Sequence, residues 1–281
     1  MHYYRVRDIA DTLKDSFDYL RAHGKHLLGI WSLFAAPLIL LYHFLLSKLP
    51  LEEILQQFES EELLLGFNGL DAIDSMMGPI YPLVIISAIL SQATSIVIIL
   101  EHIKCTKDAV PMNPEDIPSL FPKILGFSVL YFSVSMILGL SMLFFFFPFL
   151  FMGTKLAVSF QSYIIGEKSL IESLVHSWNI TTYQAWPTFG LLIILLLLIV
   201  MISSLIQIPA EFIRISLDKV SWMASDVGVF ISTLLSGLFN VLTALTTIVF
   251  QTVLSFHFFN LSDRYTSEIS TTPIKLSLIH I

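Results

Sequence analysis

The run LLIILLLLIVMI, from Leu191 to Ile202, carries no polar side chain at all. It lies inside one of several apolar segments that reach the roughly 20 residues needed to cross about 30 Å of hydrocarbon. In that solvent the backbone must satisfy its own hydrogen bonds, which leaves the helix as the conformation for a segment of this kind. Hydropathy places six such spans near 26–46, 79–101, 120–145, 148–166, 187–208 and 228–259. The expected fold is therefore an all-α polytopic membrane protein with about six transmembrane helices. Residues 1–275 form a single integral membrane domain in this reading.

Composition agrees and removes other classes. Of 281 residues, 55% are hydrophobic and 13% charged, against about 25% charged in soluble domains. The formal net charge of -7 reflects local clustering of Glu52, Glu53, Glu59, Glu61 and Glu62 in one loop. No basic patch exists for a nucleic-acid partner. The single cysteine, Cys105, excludes an intrachain disulfide or a thiolate metal cluster and is expected to be a buried or interfacial thiol. Asp8, Asp11, Asp15 and Asp18 occupy the stretch where a cleavable signal would be apolar, so the mature chain is expected to start at Met1. The last residues, LSLIHI (276–281), match the translation of a transposon end used in sequencing libraries. They are expected to be an adapter-derived artefact, with the natural C-terminus lost beyond Lys275.

Lys and Arg beside the spans set the orientation. Arg5, Arg7, Lys14, Arg21, Lys25, Lys104, Lys107, Lys123, Lys168, Arg264 and Lys275 fall on one side, and Lys48, Arg214 and Lys219 on the other. Both termini are thus expected in the cytoplasm, with the acidic loop 51–77 outside. That loop and the segment IPAEFIRISLDKVSWMASD both have amphipathic patterns suited to solvated covers.

Two further amphipathic stretches, near 6–22 and 168–184, precede spans and are expected to lie as interfacial helices on the cytoplasmic face. They align without a gap when Asp8 is set against Ser169. Leu13 then meets Leu174, Ser16 meets Ser177 and Gly29 meets Gly190, which suggests a parallel internal repeat. The second copy also carries a family resemblance. Leu174, Ser177, Trp178, Trp186, Phe189 and Gly190, with HFFNLSDR at His257 to Arg264, stand in an arrangement that resembles bacterial six-span proteins of the glycerophosphoryl diester phosphodiesterase membrane-domain type and the related YciC-like family. The resemblance implies a six-span fold in the bacterial inner membrane and a basic residue near Lys155. It implies no activity: catalysis in that enzyme class resides in a separate soluble barrel, for which six spans leave no room.

Among polar groups within spans, Lys155, Gln92 and Asn240 are the candidates for lining a cavity, because polar groups in a bilayer are costly and often functional. Lys155 either snorkels to the interface or binds an anion such as a lipid phosphate. Glu101, His102, His257 and Asp263 end spans on the cytoplasmic side; solvated interfacial groups explain them more simply than a metal site. No catalytic, nucleotide-binding or metal-binding motif is present, so no catalytic, cofactor or metal residue is assigned. The leading expectation is a non-enzymatic module that organises the envelope or holds a protein partner, with membrane lipids as its other contact. The alternative is a transporter or lipid-handling protein with a polar cavity around Lys155. An enzyme acting on a lipid headgroup is a third.

Overall fold

Prolines punctuate this chain at helix starts. The computed structural model describes residues 7–49, 78, 80–218 and 226–271. Among them every regular element is helical: α1 (Ile9–Leu46), α2 (Ile80–Lys107), a 3-10 segment (Pro114–Leu120), α3 (Phe121–Leu143), α4 (Phe146–Leu156), α5 (Ser159–Ile164), α6 (Leu170–Thr182), α7 (Ala185–Asp218), α8 (Asp226–Ala244) and α9 (Thr246–Thr271). Pro82, Pro122, Pro148 and Pro187 all fall within the first three residues of their helices. There the missing N–H would have had no intrahelical partner anyway. Five helical segments are long and apolar enough to cross a membrane: Ile9–Leu46, Ile80–Lys107, Pro114–Leu143, Ala185–Ile213 and Val227–Ser267.

The chain departs from the expected layout at three places. The stretch 6–22 is not a separate interfacial element, because Ile9 to Leu46 is one continuous helix with no proline before Pro37 to interrupt it. The expected fourth span, 148–166, is divided into α4 and α5, and neither piece is among the five long segments. The expected sixth span is interrupted by one turn residue, Leu245, between α8 and α9. The second amphipathic stretch does form its own helix, α6. The ring of Pro187 would collide with the carbonyl four residues earlier, at Tyr183, and the elbow between α6 and α7 falls at Tyr183 and Gln184. The acidic loop 51–77 and the tail 276–281 lie outside the described residues.

The bundle centre is α2. From Ala93 to Ile103 it is buried on every side, as expected of a helix that is apolar all round. On it lie α1 and α9, through Tyr19, Leu27, Trp31, Phe256 and Phe259. Trp31 Nε1 donates to Ser95 Oγ at 2.6 Å, so the indole is both packed and hydrogen-bonded. Helix α1 runs antiparallel to the α8–α9 segment along its whole length. At one end Gly237 of α8 lies against α1 so closely that a Cβ there would meet Leu40 Cδ2 at 3.0 Å. At the other, Asn260 accepts from the Arg7 backbone N–H at 2.9 Å and donates to the Arg7 carbonyl at 3.0 Å. Arg264 Nη2 donates to that same carbonyl at 2.9 Å. The two ends of the described chain are thereby joined. Meanwhile the longest apolar run faces outward: Leu196, Leu197, Val200, Met201 and Leu205 of α7 are exposed, a surface compatible with hydrocarbon rather than water.

Asn260→Ala removes the side-chain acceptor of the Arg7 N–H and one of the two side-chain donors to the Arg7 carbonyl, Arg264 keeping the other; loss of a buried partner costs about 1–3 kcal/mol. The detergent-solubilised variant is expected to unfold at lower temperature and to be cleaved faster near Arg7 in limited proteolysis; an unchanged cleavage rate would show that this junction does not hold the N-terminal end.

Candidate functional site around the broken helix

The chain between α4 and α5 contains neither Pro nor Gly, only Ala157 and Val158, so the break is made by what packs against it. Ser177 of α6 reaches into the gap. Its Oγ donates to the Lys155 carbonyl at 2.8 Å and accepts from the Val158 N–H at 3.3 Å. Thr181 Oγ1 adds a contact to the same carbonyl at 3.4 Å. A hydroxyl can serve both as donor and acceptor, and this one replaces the helical partners lost at the break.

Helix α6 is suited to this by an inverted amphipathic pattern. Its buried face consists of Ser173, Ser177, Ile180 and Thr181, while Ile171, Val175 and Trp178 are exposed. Each buried threonine or serine can use its hydroxyl locally, as Ser173 does to the Ser169 carbonyl at 2.7 Å. Helix α6 begins with a capping box, in which the Ser169 side chain and Glu172 satisfy each other's backbone N–H groups. His176, docked on Phe258 and Tyr265, has its pKa lowered by burial and then by Lys168.

The alignment of Asp8 with Ser169 has a local counterpart. Both residues are N-caps, and the buried hydroxyls Thr12 and Ser16 of α1 match Ser173 and Ser177 of α6. What the two stretches share is a helix start and a hydroxyl-bearing inner face. They part after Arg21 and Thr182, where α6 ends and α1 continues unbroken.

Next to the break stands Lys155. It is only 6% exposed, and its ammonium donates to Thr182 Oγ1 at 3.0 Å. The rings of Phe151 and Trp178 flank it, with Nζ 5.6 and 5.5 Å from their centroids. Among the described residues no carboxylate lies within ion-pair distance of it, whereas Arg7, Lys104 and Lys123 pair with Asp15, Glu167 and Glu101. Lysine is almost never buried without a counter-charge.

The other sequence candidates take separate places. Asn240 bonds to His43 Nε2 at 2.9 Å and to the Ser236 carbonyl at 2.9 Å, on α8. Gln92 is half-buried on α2, so the three polar candidates do not share one set of partners. Leu174 packs beside Leu130, Val134 and Leu156. Gly190 lies under Ile9. Trp186 is 82% exposed and meets the ring of Phe189 edge-on, 6.1 Å between centroids. Cys105 is half-buried at the core edge. His102 contacts Tyr19 Oη at 2.6 Å and His26 at 2.9 Å, Glu101 pairs with Lys123 and His257 contacts Thr188 at 2.9 Å. These end-of-span groups are therefore distributed among different partners, and among the described residues no group of three or more His, Cys, Asp or Glu could hold a metal ion. Sequence reasoning missed Phe151, Thr181 and Thr182. Their signal was their spacing, Phe151 four residues before Lys155 and the threonines three and four after Trp178.

No protein-family model, curated protein or solved structure matches this chain.

Ser177→Ala leaves the Val158 N–H and weakens the Lys155 carbonyl's satisfaction in a buried site, for an expected loss of about 2 kcal/mol. Hydrogen exchange at the Val158 amide is the direct check: it should accelerate in the variant, and equal protection would mean that the hydroxyl does not hold the break.

Proposed function

We propose that this chain is a multi-pass bacterial inner-membrane protein that handles anionic lipid and has no catalytic role of its own. The observation that carries this reading is Lys155, a buried ammonium that no described carboxylate neutralises. A charge placed centrally in a membrane helix costs about 2.5–3.5 kcal/mol on insertion scales. A bound anion would recover much of that through a charge-assisted hydrogen bond. Discontinuous helices at membrane depth recur where backbone and charge together meet a solute, and the α4–α5 break lies within two residues of Lys155.

In the topology we propose, the chain makes six passes, with α4 and α5 together forming the broken fourth. The junction of Arg7 with Asn260 and Arg264 supports an even number, since it brings both described ends together. The excess of Lys and Arg on that side supports a cytoplasmic position for it. The apolar outer face of α6 supports placing that helix in the interface. The resemblance to the phosphodiesterase membrane-domain type rests on Ser169 to Leu191 and fits this layout.

Lipid co-purifying with the protein tests the reading. Mass spectrometry of extracts is expected to show anionic lipid enriched over the bulk membrane for the wild type, and that enrichment lost in Lys155→Met. Equal lipid composition for both proteins would remove Lys155 as the anion contact.

A second reading, an envelope-organising module that holds a protein partner, is favoured by the exposed Ile171 and Val175 on α6, Tyr183 at the elbow and Trp186 in the first turn of α7. Trp186→Asp should then abolish specific crosslinks formed in intact cells while leaving bound lipid unchanged. Persistence of the crosslinks would dismiss this surface as the contact.

A further inference from the structure

A groove of about 440 Å³ opens between α3, α4, α7 and α9, within the range of about 300–1,000 Å³ typical of small-molecule sites. Its walls include Val134 and Leu138 of α3, Gly153 of α4, Leu192 and Leu196 of α7 and Phe250 of α9. The hydroxyl of Thr154 on its wall is turned back to the Leu150 carbonyl at 2.8 Å, so the lining is apolar in effect. Thr154 and Leu156 both line the groove, and Lys155 stands between them with its ammonium directed towards α6. Of the first turns of α7, Phe189 lines the groove.

Resting on the lipid-binding reading above, we propose that the occupant is a single-chain carboxylate amphiphile, a long-chain fatty acid. Its carboxylate meets the Lys155 ammonium and its chain runs around α4 into the groove. Three features select this chemistry. The site has one cation without a described counter-ion, which matches a single negative charge. An ammonium has three donors, and Thr182 takes one, leaving two for the two oxygens of a carboxylate. Around it the described neighbours are aromatic faces and the Thr182 hydroxyl, which itself donates to the Trp178 carbonyl at 2.7 Å. Beyond those two donors, the described neighbours offer no further partner for the additional glycerol and phosphate oxygens of a larger headgroup, and one groove accommodates one chain.

Gly153 keeps the groove open. A Cβ there would only reach ordinary contact with Leu138, at 4.0 Å, and leucine is a better helix former than glycine. Gly153→Leu therefore fills the groove without a backbone penalty.

The test is titration of oleate into the full chain in phosphatidylcholine nanodiscs, read by native mass spectrometry, with oleyl alcohol and oleoyl lysophosphatidylglycerol as comparison ligands. The expected result is one oleate per chain, weakened at least about tenfold in Lys155→Gln and similarly in Gly153→Leu, with both variants retaining wild-type circular dichroism. Oleyl alcohol binding as well as oleate would overturn the carboxylate contact. Tighter binding of the lysophospholipid would overturn the choice of headgroup, and full oleate binding by Gly153→Leu would overturn the groove. Absence of saturable oleate binding would also overturn the proposal. If wild type still co-purified with anionic two-chain lipid and Lys155→Met did not, the broader lipid reading would stand while this one fell.

Discussion

One hydroxyl holds the arrangement on which the site depends. Ser177 Oγ stands between the Lys155 carbonyl and the Val158 N–H, and supplies the donor and acceptor that an unbroken helix would have provided. In a medium without water, an unsatisfied backbone group costs several kcal/mol. A helix buried in the bundle can therefore be interrupted only where a neighbour brings polar groups to the gap. Helix α6 brings them on a face of Ser173, Ser177 and Thr181, and the same helix supplies Trp178 and Thr182 to the Lys155 side chain. The break and the buried charge are thus consequences of one docking event.

That docking inverts the familiar pattern of a surface helix. In water, an amphipathic helix buries its apolar stripe and shows its hydroxyls. Helix α6 buries hydroxyls and shows Ile171, Val175 and Trp178, which is stable when the surroundings are themselves apolar. The outward-facing leucines of α7 follow the same logic, while the all-round burial of α2 supplies the packed centre against which the other helices are positioned.

The helices were largely legible in the sequence, because apolar length and first-turn prolines are local signals. Pro187 marks the elbow before α7. Pro148 marks the start of α4, although the turn itself falls just upstream at Phe144 and Phe145, the latter with φ of 120°. The continuity of α1 was less legible, since an amphipathic stretch followed by an apolar one can be two helices or one, and only the absence of a breaker distinguishes them. The site was legible in pieces. Lys155 stood out by its charge and Ser177 and Trp178 by their motif, yet their meeting depends on a gap at Ala157 and Val158 that no local signal announces. Grouping Lys155 with Gln92 and Asn240 followed from polarity alone, and polarity does not specify which helix faces which: Asn240 is held instead by His43.

The central claim is that Lys155 carries a charge meant for a ligand rather than for the protein. An experimental structure of the full chain in nanodiscs formed with its native lipids tests this most directly. The account predicts an oxygen of a bound amphiphile within about 3.2 Å of Lys155 Nζ, as a charge-assisted hydrogen bond requires. A protein carboxylate in that position, or an ammonium turned out to bulk water with no ligand beside it, would contradict it.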